Sequence, residues 1–497
     1  MTASSNAARA QAQATPPPAD DEVEVTAAPS LPPTPPPAPP PAANSEPDPA
    51  AVRAWQAMTT SRLGELEARL DEVAAIASRP PPPPPARPVA EVTTENDPSA
   101  DAENIATVLA RPGFLLSGYA QGQVFASRAS QDQLQQGGAF LNQDQFTVRR
   151  ARLRADRRWT YAALALEVDG NTNGGLNFGL RRVEASVLWD REGNGAPLVM
   201  FTAGMFYIPF GYELPASART RLFLERSLSS TALFPGQADI GARLAGSWRF
   251  LRYAVALVNG EPIVEAASRP FRGDPNAPKD LVVRLGADTT PAAPLRIAGG
   301  VSFLQGKGFH AGADATKSGT VWRDVNENGT VDLGEVMSVP GTAATPSANF
   351  RRWAVGADLR VTLRTPLGLS RLQSEVVVAS NMDRGLFVSD PITTGVDVRQ
   401  FGFYAAVIQD LYAWGFVGFR VDTYNPNADL FESRAGALLP TSQTITTLSP
   451  LAGVRIGDRT RVSVQYDHIQ DNLARDATGV PADLSNDQII ARLQVDL

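Results

Sequence analysis

The chain has 497 residues, with 45 Lys and Arg against 52 Asp and Glu, two His, no Cys and a formal net charge of −7. Zero cysteines exclude disulfide frameworks, thiolate zinc sites and cysteine nucleophiles, and an acidic balance without basic, aromatic-interleaved clusters argues against a nucleic-acid partner. No apolar run reaches the roughly 18 residues of a membrane helix, a test that a transmembrane β-barrel passes unseen because its strands alternate.

Of the basic residues only Lys279, Lys307 and Lys317 are lysine. A high-GC genome and selection for anion-binding guanidinium groups both account for that bias. The start lacks a charged segment followed by an apolar one, so no signal peptide is written in it. Ala12, Gln13 and Ala14 nevertheless form an A-x-A sequence in an alanine-rich lead. Met1 inside a longer signal peptide and a chance match in low complexity are the two readings.

Residues 1–50 form an Ala/Pro-rich lead with LPPTPPPAPPPAA at 31–43, a composition that cannot bury a core. Over 51–79, Val52, Thr59, Leu63, Leu66, Leu70, Val73 and Ala77 follow a heptad seam broken once by Gln56. That predicts a short coiled coil, or a lone amphipathic helix. A Pro-rich linker, with PPPPPP at 80–85, fills 80–112.

From 113 to 497 the pattern is alternation, and the sequence predicts an all-β fold: a 16-stranded antiparallel transmembrane β-barrel with an N-terminal periplasmic extension. The expected strands are 114–127, 146–156, 160–169, 178–189, 198–208, 240–249, 252–259, 280–289, 295–305, 351–364, 369–380, 399–409, 413–424, 446–457, 460–470 and 487–497. Long and short connections are expected to alternate without exception, as external loops and periplasmic turns do in outer-membrane barrels. An even strand number places both barrel termini on the short-turn side.

The stretch FTVRRARLRADRRWTYAALALEVD at 146–169 is central. At period two Phe146, Val148, Arg150, Arg152 and Arg154 share a face, and Ala162, Leu164, Leu166 and Val168 oppose Tyr161, Glu167 and Asp169. Val183, Ala185, Val187 and Trp189 are expected outside and Arg182, Glu184 and Ser186 inside. In the tenth strand Trp353, Val355, Ala357, Leu359, Val361 and Leu363 point out, against Arg352, Asp358, Arg360, Thr362 and Arg364. Arg149 falls on the lipid side and would have to snorkel. The C-terminal strand puts Leu493, Val495 and Leu497 on one face.

The strand FTVRRARLRA, the stretch FTAGMFYIPFGYELPASARTRLFLERS at 201–227 and DIGARLAGSWRFLRYAVALVNGEP at 239–262 resemble the phosphate-selective porin O and P family. The resemblance covers about 115 residues strongly and the remaining barrel by pattern. It implies a homotrimeric outer-membrane channel for small anions, narrowed by an infolded loop. On this chain that loop is 209–239, with Arg219, Arg221, Glu225 and Arg226. The family's anion-selective members add lumen lysines, which are scarce here, and Glu167, Asp169, Glu184, Asp358, Glu375 and Asp422 share the lumen parity.

Two candidate sites follow. Arg150, Arg152 and Arg154, spaced about 7 Å apart on one face, with Arg182, Arg243, Arg352 and Arg360, could relay oxyanions. They could equally pair with Glu167 and Glu184 and stiffen the wall. The segment DVNENGTVDLGE at 324–335 sets Asp324, Asn326, Asn328, Thr330, Asp332 and Glu335 at the spacing of a twelve-residue calcium loop, with Gly329 at the sixth place. It predicts a structural Ca2+ in an external loop, 305–350, against the plainer reading of an acidic turn. His310 and His468 stand far apart without a nucleophile pattern, so no enzyme is expected.

The leading expectation is a passive outer-membrane diffusion channel in contact with lipid. The alternative is a structural tether, whose N-terminal extension reaches peptidoglycan and whose barrel transports little.

Overall fold

The computed structural model describes residues 113–497 except 133–140, 174, 190–196, 263–272, 435–436, 441–442, 472–473 and 476–480. Upstream it describes Ala50, Arg53, Ala57, Thr60, Ser61 and Gly64, all helical. The predicted heptad seam, the Pro-rich linker and the lead before Ala50 lie outside the described residues.

Sixteen strands close into one antiparallel barrel. They are β1 (Gly113–Ser127), β2 (Gln145–Arg158), β3 (Ala162–Asn171), β4 (Asn177–Trp189), β5 (Val199–Tyr207), β6 (Ala238–Trp248), β7 (Leu251–Val258), β8 (Asp280–Ala292), β9 (Leu295–His310), β12 (Ala348–Thr365), β13 (Gly368–Ser380), β14 (Arg399–Leu411), β15 (Gly415–Asn425), β18 (Ile445–Ile456), β19 (Thr460–Asp471) and β22 (Gln488–Asp496). β22 pairs with β1, so the sheet has no open edge. Three small hairpins decorate the long-loop end: β10 (Gly319–Trp322) with β11 (Val336–Val339), β16 (Phe431–Arg434) with β17 (Ala437–Pro440), and β20 (Ala474–Arg475) with β21 (Pro481–Ala482). The expected loop 305–350 is therefore partly strand, since β9 runs on to His310 before the β10–β11 hairpin.

The alternation of long and short connections fails at one place. β3 and β4 are joined on the long-loop side by residues 172–176 alone, a shorter link than 190–198 on the turn side. An asparagine cluster closes it: Asn177 Nδ2 donates to Asn171 Oδ1 at 3.1 Å, to the Asn173 carbonyl at 2.9 Å and to the Gly175 carbonyl at 3.1 Å.

The faces are those of a barrel turned inside out. Val187, Phe201, Leu257, Leu285, Val301, Val355, Leu359, Val407 and Leu493 are exposed on the exterior. Phe114, Trp159, Tyr161, Trp189, Trp248, Phe250, Tyr412 and Trp414 are exposed around the short-turn rim. An apolar band edged by amphipathic rings is what a bilayer solvates and water does not. Arginines and carboxylates fill the interior.

Two β-bulges adjust those faces. Gln121 pairs with Arg150 and Gly122 with Val148, leaving Arg149 as an extra residue in β2. Phe146 and Val148 are therefore exposed outside while Arg150 and Arg152 are buried inside, so the expected single face through all five residues is split. Arg149 does not snorkel into lipid; the bulge turns it inward beside Arg150. In β4, Glu167 pairs with Arg182 and Val168 with Leu180, which makes Arg181 the extra residue. Arg181 is buried like its neighbours on the inner wall.

Candidate functional site: a strapped, charge-lined lumen

The site begins where β5 ends. Pro209 and Pro215 cannot continue a hydrogen-bonded strand, and Gly211, at φ +62°, takes a left-handed turn that side-chain-bearing residues adopt poorly. Residues 208–237 fold against the inner wall as a strap, with one short helix, α1 (Leu228–Leu233), capped by Ser227.

Wall side chains hold the strap mostly by its backbone. The Gly211 N–H donates to Ser302 Oγ at 3.0 Å, and those of Tyr212 and Glu213 donate to Glu375 Oε2 at 3.1 Å each. The Leu224 N–H donates to Gln465 Oε1 at 2.9 Å and the Leu228 N–H to Asp422 Oδ2 at 2.6 Å. Strap carbonyls accept from the other direction: Ala218 from Gln121 at 3.1 Å, Arg219 from Gln494 at 2.9 Å, Leu224 from Arg492 at 2.7 Å and Glu225 from Arg420 at 2.9 Å. These anchors sit on β1, β9, β13, β15, β19 and β22.

Packing completes the attachment. Phe206, Ile208, Phe210, Leu214, Leu233 and Phe234 form a buried cluster with Ala256, Val282, Ala354, Val377 and Ala379 of the wall. Leu222 and Phe223 pack with Tyr404, Ala406, Ile408 and Phe416. Each fully buried side chain of this kind contributes about 1.5–3 kcal/mol. Gly402 leaves space for α1, because a Cβ there would meet the Ser229 Cβ at 2.2 Å.

The predicted lumen arginines all face inward, and wall carboxylates meet most of them. Arg152 binds Asp169 at 2.9 Å and lies 3.6 Å from Glu167. Arg154 binds Asp156 at 2.7 Å. Glu184 joins Arg182 and Arg243 at 2.5 and 3.0 Å. Arg352 binds Asp280 at 2.8 Å and the Gly260 carbonyl at 2.7 Å. Arg360 lies over the Tyr212 ring, 4.3 Å from its centroid. Of the two readings of the arginine set, this lattice has the geometry of the stiffened wall.

The strap residues separate by role. Arg219 reaches Asp496 at 3.3 Å, at the short-turn end of β22. Arg221 borders a small pocket between strap and wall, lined also by Tyr212, Glu213, Tyr404 and Arg420. Arg226 caps the end of α1, donating to the carbonyls of Ser230 at 3.2 Å and Phe234 at 3.0 Å. Glu225 is held by three guanidinium groups, those of Arg149, Arg150 and Arg492, at 2.8, 3.1 and 2.6 Å. Arg149 and Arg492 were absent from the predicted set. The paired Arg149–Arg150 signal was present in the sequence, but strict period-two counting assigned one of the two to lipid.

The predicted calcium loop is the tip of the β10–β11 hairpin. Asp324 accepts from the N–H groups of Asn328 at 3.1 Å and Gly329 at 2.7 Å, and Gly329 has φ +73°. Asn326 and Asn328 both turn amide nitrogens onto Asp332 Oδ2 at 2.8 Å. Glu335 accepts from Trp322 Nε1 at 3.1 Å and the Val325 N–H at 3.0 Å, and the Thr330 N–H donates to Asn328. The Trp322 hydrogen bond holds the Glu335 carboxyl below its ordinary value, and the two asparagine amides do the same for Asp332. Among the described residues no group of three His, Asp or Glu side chains is gathered as metal ligands would be.

Both histidines lie towards the long-loop end, each on an aspartate. His310 Nδ1 is 2.6 Å from Asp390 Oδ2, the N-cap of α2 (Pro391–Thr394), and His468 Nδ1 is 2.9 Å from Asp487 Oδ1. Neither has a nucleophile beside it in these contacts.

No family model matches the sequence and no curated protein matches it, so the resemblance to phosphate-selective porins rests on the quoted stretches alone. Among solved structures the chain is similar to an anion-selective porin from Comamonas acidovorans, at 9% identity over 78% of this chain and 100% of that one, with a TM-score of 0.44. It is also similar to OmpT of Vibrio cholerae in its trimer form, at 9% identity over 78% and 100%, with a TM-score of 0.43. A third is the outer membrane channel DcaP of Acinetobacter baumannii, at 7% identity over 79% and 99%, with a TM-score of 0.45.

Proposed function

We propose that the chain is an outer-membrane channel for passive diffusion of small solutes, with its short-turn end in the periplasm and a lumen biased toward small anions. The observation that carries this reading is the pairing of a closed, lipid-suited exterior with a charged lumen narrowed on one side by a strap. A tether would need only the exterior. A strap fixed by Ser302, Glu375, Asp422, Gln465 and Arg492 shapes a passage, and fixed charges in a narrow passage bias the ions that cross it.

Because carboxylates meet Arg152, Arg154, Arg182, Arg243 and Arg352, the bias is modest, and phosphate enters as the anion that the family resemblance nominates. The test is the full chain in planar bilayers under a chloride gradient, before and after phosphate is added. A reversal potential displaced toward the chloride Nernst value supports the anion bias, and block by phosphate adds specialisation. Absence of conductance favours the tether, reaching peptidoglycan through the N-terminal extension. Trimer assembly, which the resemblance implies, is read from the mass of the detergent-extracted protein.

The β10–β11 tip carries a second proposal, that it takes one structural Ca2+. The spacing of oxygen donors from Asp324 to Glu335 suits the ion. Binding would turn the Asn326 and Asn328 carbonyl oxygens toward it in place of their amide nitrogens. Calcium titration of wild type and Glu335→Gln tests this; equal weak binding by both removes the site.

A further inference from the structure

We propose that Arg149, Arg150 and Arg492 form a carboxylate-binding subsite on the lumen wall, held in this structure by the chain's own Glu225 and opened when a solute carboxylate displaces it. The inference rests on the channel reading and gives it a substrate class.

Three guanidinium groups from two strands that flank β1 converge on one carboxylate. Arg149 grips it in a fork, Nε to Oε1 at 2.8 Å and Nη2 to Oε2 at 2.9 Å. Arg150 Nη2 adds 3.1 Å to Oε2, and Arg492 Nη2 adds 2.6 Å to Oε1. Two parallel N–H bonds to the two oxygens are the geometry by which arginine recognises a planar carboxylate. The Glu225 carboxylate thus stands where the carboxylate of a small organic acid would stand.

The β2 bulge creates the site. A regular β2 would send Arg149 outward, and the extra residue puts adjacent arginines on the same wall. Gln121 and Gln123 orient the other two, accepting from Arg150 Nη1 at 3.4 Å and Arg492 Nη2 at 2.6 Å.

Exchange needs only a side chain to move. The strap backbone is pinned at this point, with the Leu224 N–H on Gln465, the Leu224 carbonyl on Arg492 and the Glu225 carbonyl on Arg420. The Glu225 side chain is 32% exposed, whereas those of Arg150 and Arg492 are 4% exposed. The Glu225 side chain is therefore the most accessible member of the cluster, and Arg150 and Arg492 are the fixed ones. A passing carboxylate competes with Glu225 for Arg149 first, since that side chain is 20% exposed.

The experiment measures chloride conductance of the full chain in planar bilayers, with succinate titrated at constant ionic strength, for wild type, Glu225→Gln and Glu225→Gln with Arg149→Gln. Glu225→Gln is expected to lower the succinate concentration for half block by about tenfold or more and to move the reversal potential toward chloride, because the tethered competitor is gone. Adding Arg149→Gln is expected to restore the wild-type concentration. Glu225→Asp, which keeps the charge on a shorter arm, falls between, and it serves as the measured variant if Glu225→Gln fails to show the heat-dependent gel shift of a folded barrel. Unchanged block and selectivity in conducting Glu225 variants overturn the subsite while leaving the channel. A wild type that inserts without conducting overturns the channel reading itself.

Discussion

Arg152 and Asp169 are direct partners across the β2–β3 ladder, with Nε and Oδ1 2.9 Å apart and neither side chain more than 3% exposed. Removing Asp169 leaves the buried Arg152 with Glu167, at 3.6 Å, as its carboxylate partner, and breaking a buried pair in this way costs up to about 3–5 kcal/mol. Asp169→Asn is therefore expected to lower refolding stability in urea titrations. In channels that do fold, the released Arg152 should shift the reversal potential toward anions. Unchanged stability would mean that the lumen solvates Arg152.

Gly402→Leu tests the bed under the strap. A Cβ at 402 meets Ser229 at 2.2 Å, so α1 must lift. Overpacking of this kind costs about 1–3 kcal/mol. Faster proteolysis near 228–233 and a changed single-channel conductance are expected, with the barrel still closed. A variant with wild-type conductance would show that α1 does not shape the passage.

Deletion of Arg149 should be tolerated by the fold. With the bulge residue gone, Val148 remains outside and Arg150 inside in plain alternation. A folded barrel with weakened hold on Glu225 is expected, and loss of the heat-dependent gel shift would show that the bulge is needed for closure.

Asp390 sets a pH dependence at the long-loop end. Burial pushes its carboxyl up, but the His310 and Thr393 hydrogen bonds outweigh burial and leave it below the ordinary 3.8. A depressed carboxylate contributes stability above the unfolded-state value and loses it as pH falls through the lower folded-state value. Amide exchange over 390–396 should therefore stay slow from neutral pH down to about 4 and accelerate below that. Asp390→Asn should be fast already at pH 7.

Calcium should slow protease cleavage within 323–336 by about tenfold or more at saturating ion, and a chelator should reverse it. Because the Asp332 and Glu335 carboxyls lie below their ordinary values, protons should compete only under acidic conditions.

The barrel was legible because lipid and water impose period two on every strand. From Trp353 to Leu363 the outer set is continuously apolar, and counting suffices. The strap was legible only through the family resemblance, since its bed on β12 reads as a gap: Ala354 and Gly356 sit between Arg352 and Asp358 where lumen parity predicts polar groups. Small apolar residues at inward positions record a segment packed over them, a contact between residues distant in sequence. The bulges were missed because one extra residue reverses the parity of everything beyond it, as Phe146 and Val148 illustrate. The carboxylate partners of the arginine set were nameable, but which guanidinium takes which oxygen depends on cross-strand register.

The way the strap is fastened separates its position from its chemistry. Ser302, Glu375, Gln465, Gln494 and Arg420 grip main-chain N–H and C=O groups, which every residue type except proline offers in full. The side chains of Arg219, Arg221 and Glu225, which lie outside the buried Leu222–Phe223 contact, can therefore be exchanged while the ribbon keeps its course. The charge that the strap presents to the lumen can change through substitution at Arg219, Arg221 or Glu225 without renegotiating the wall that carries it.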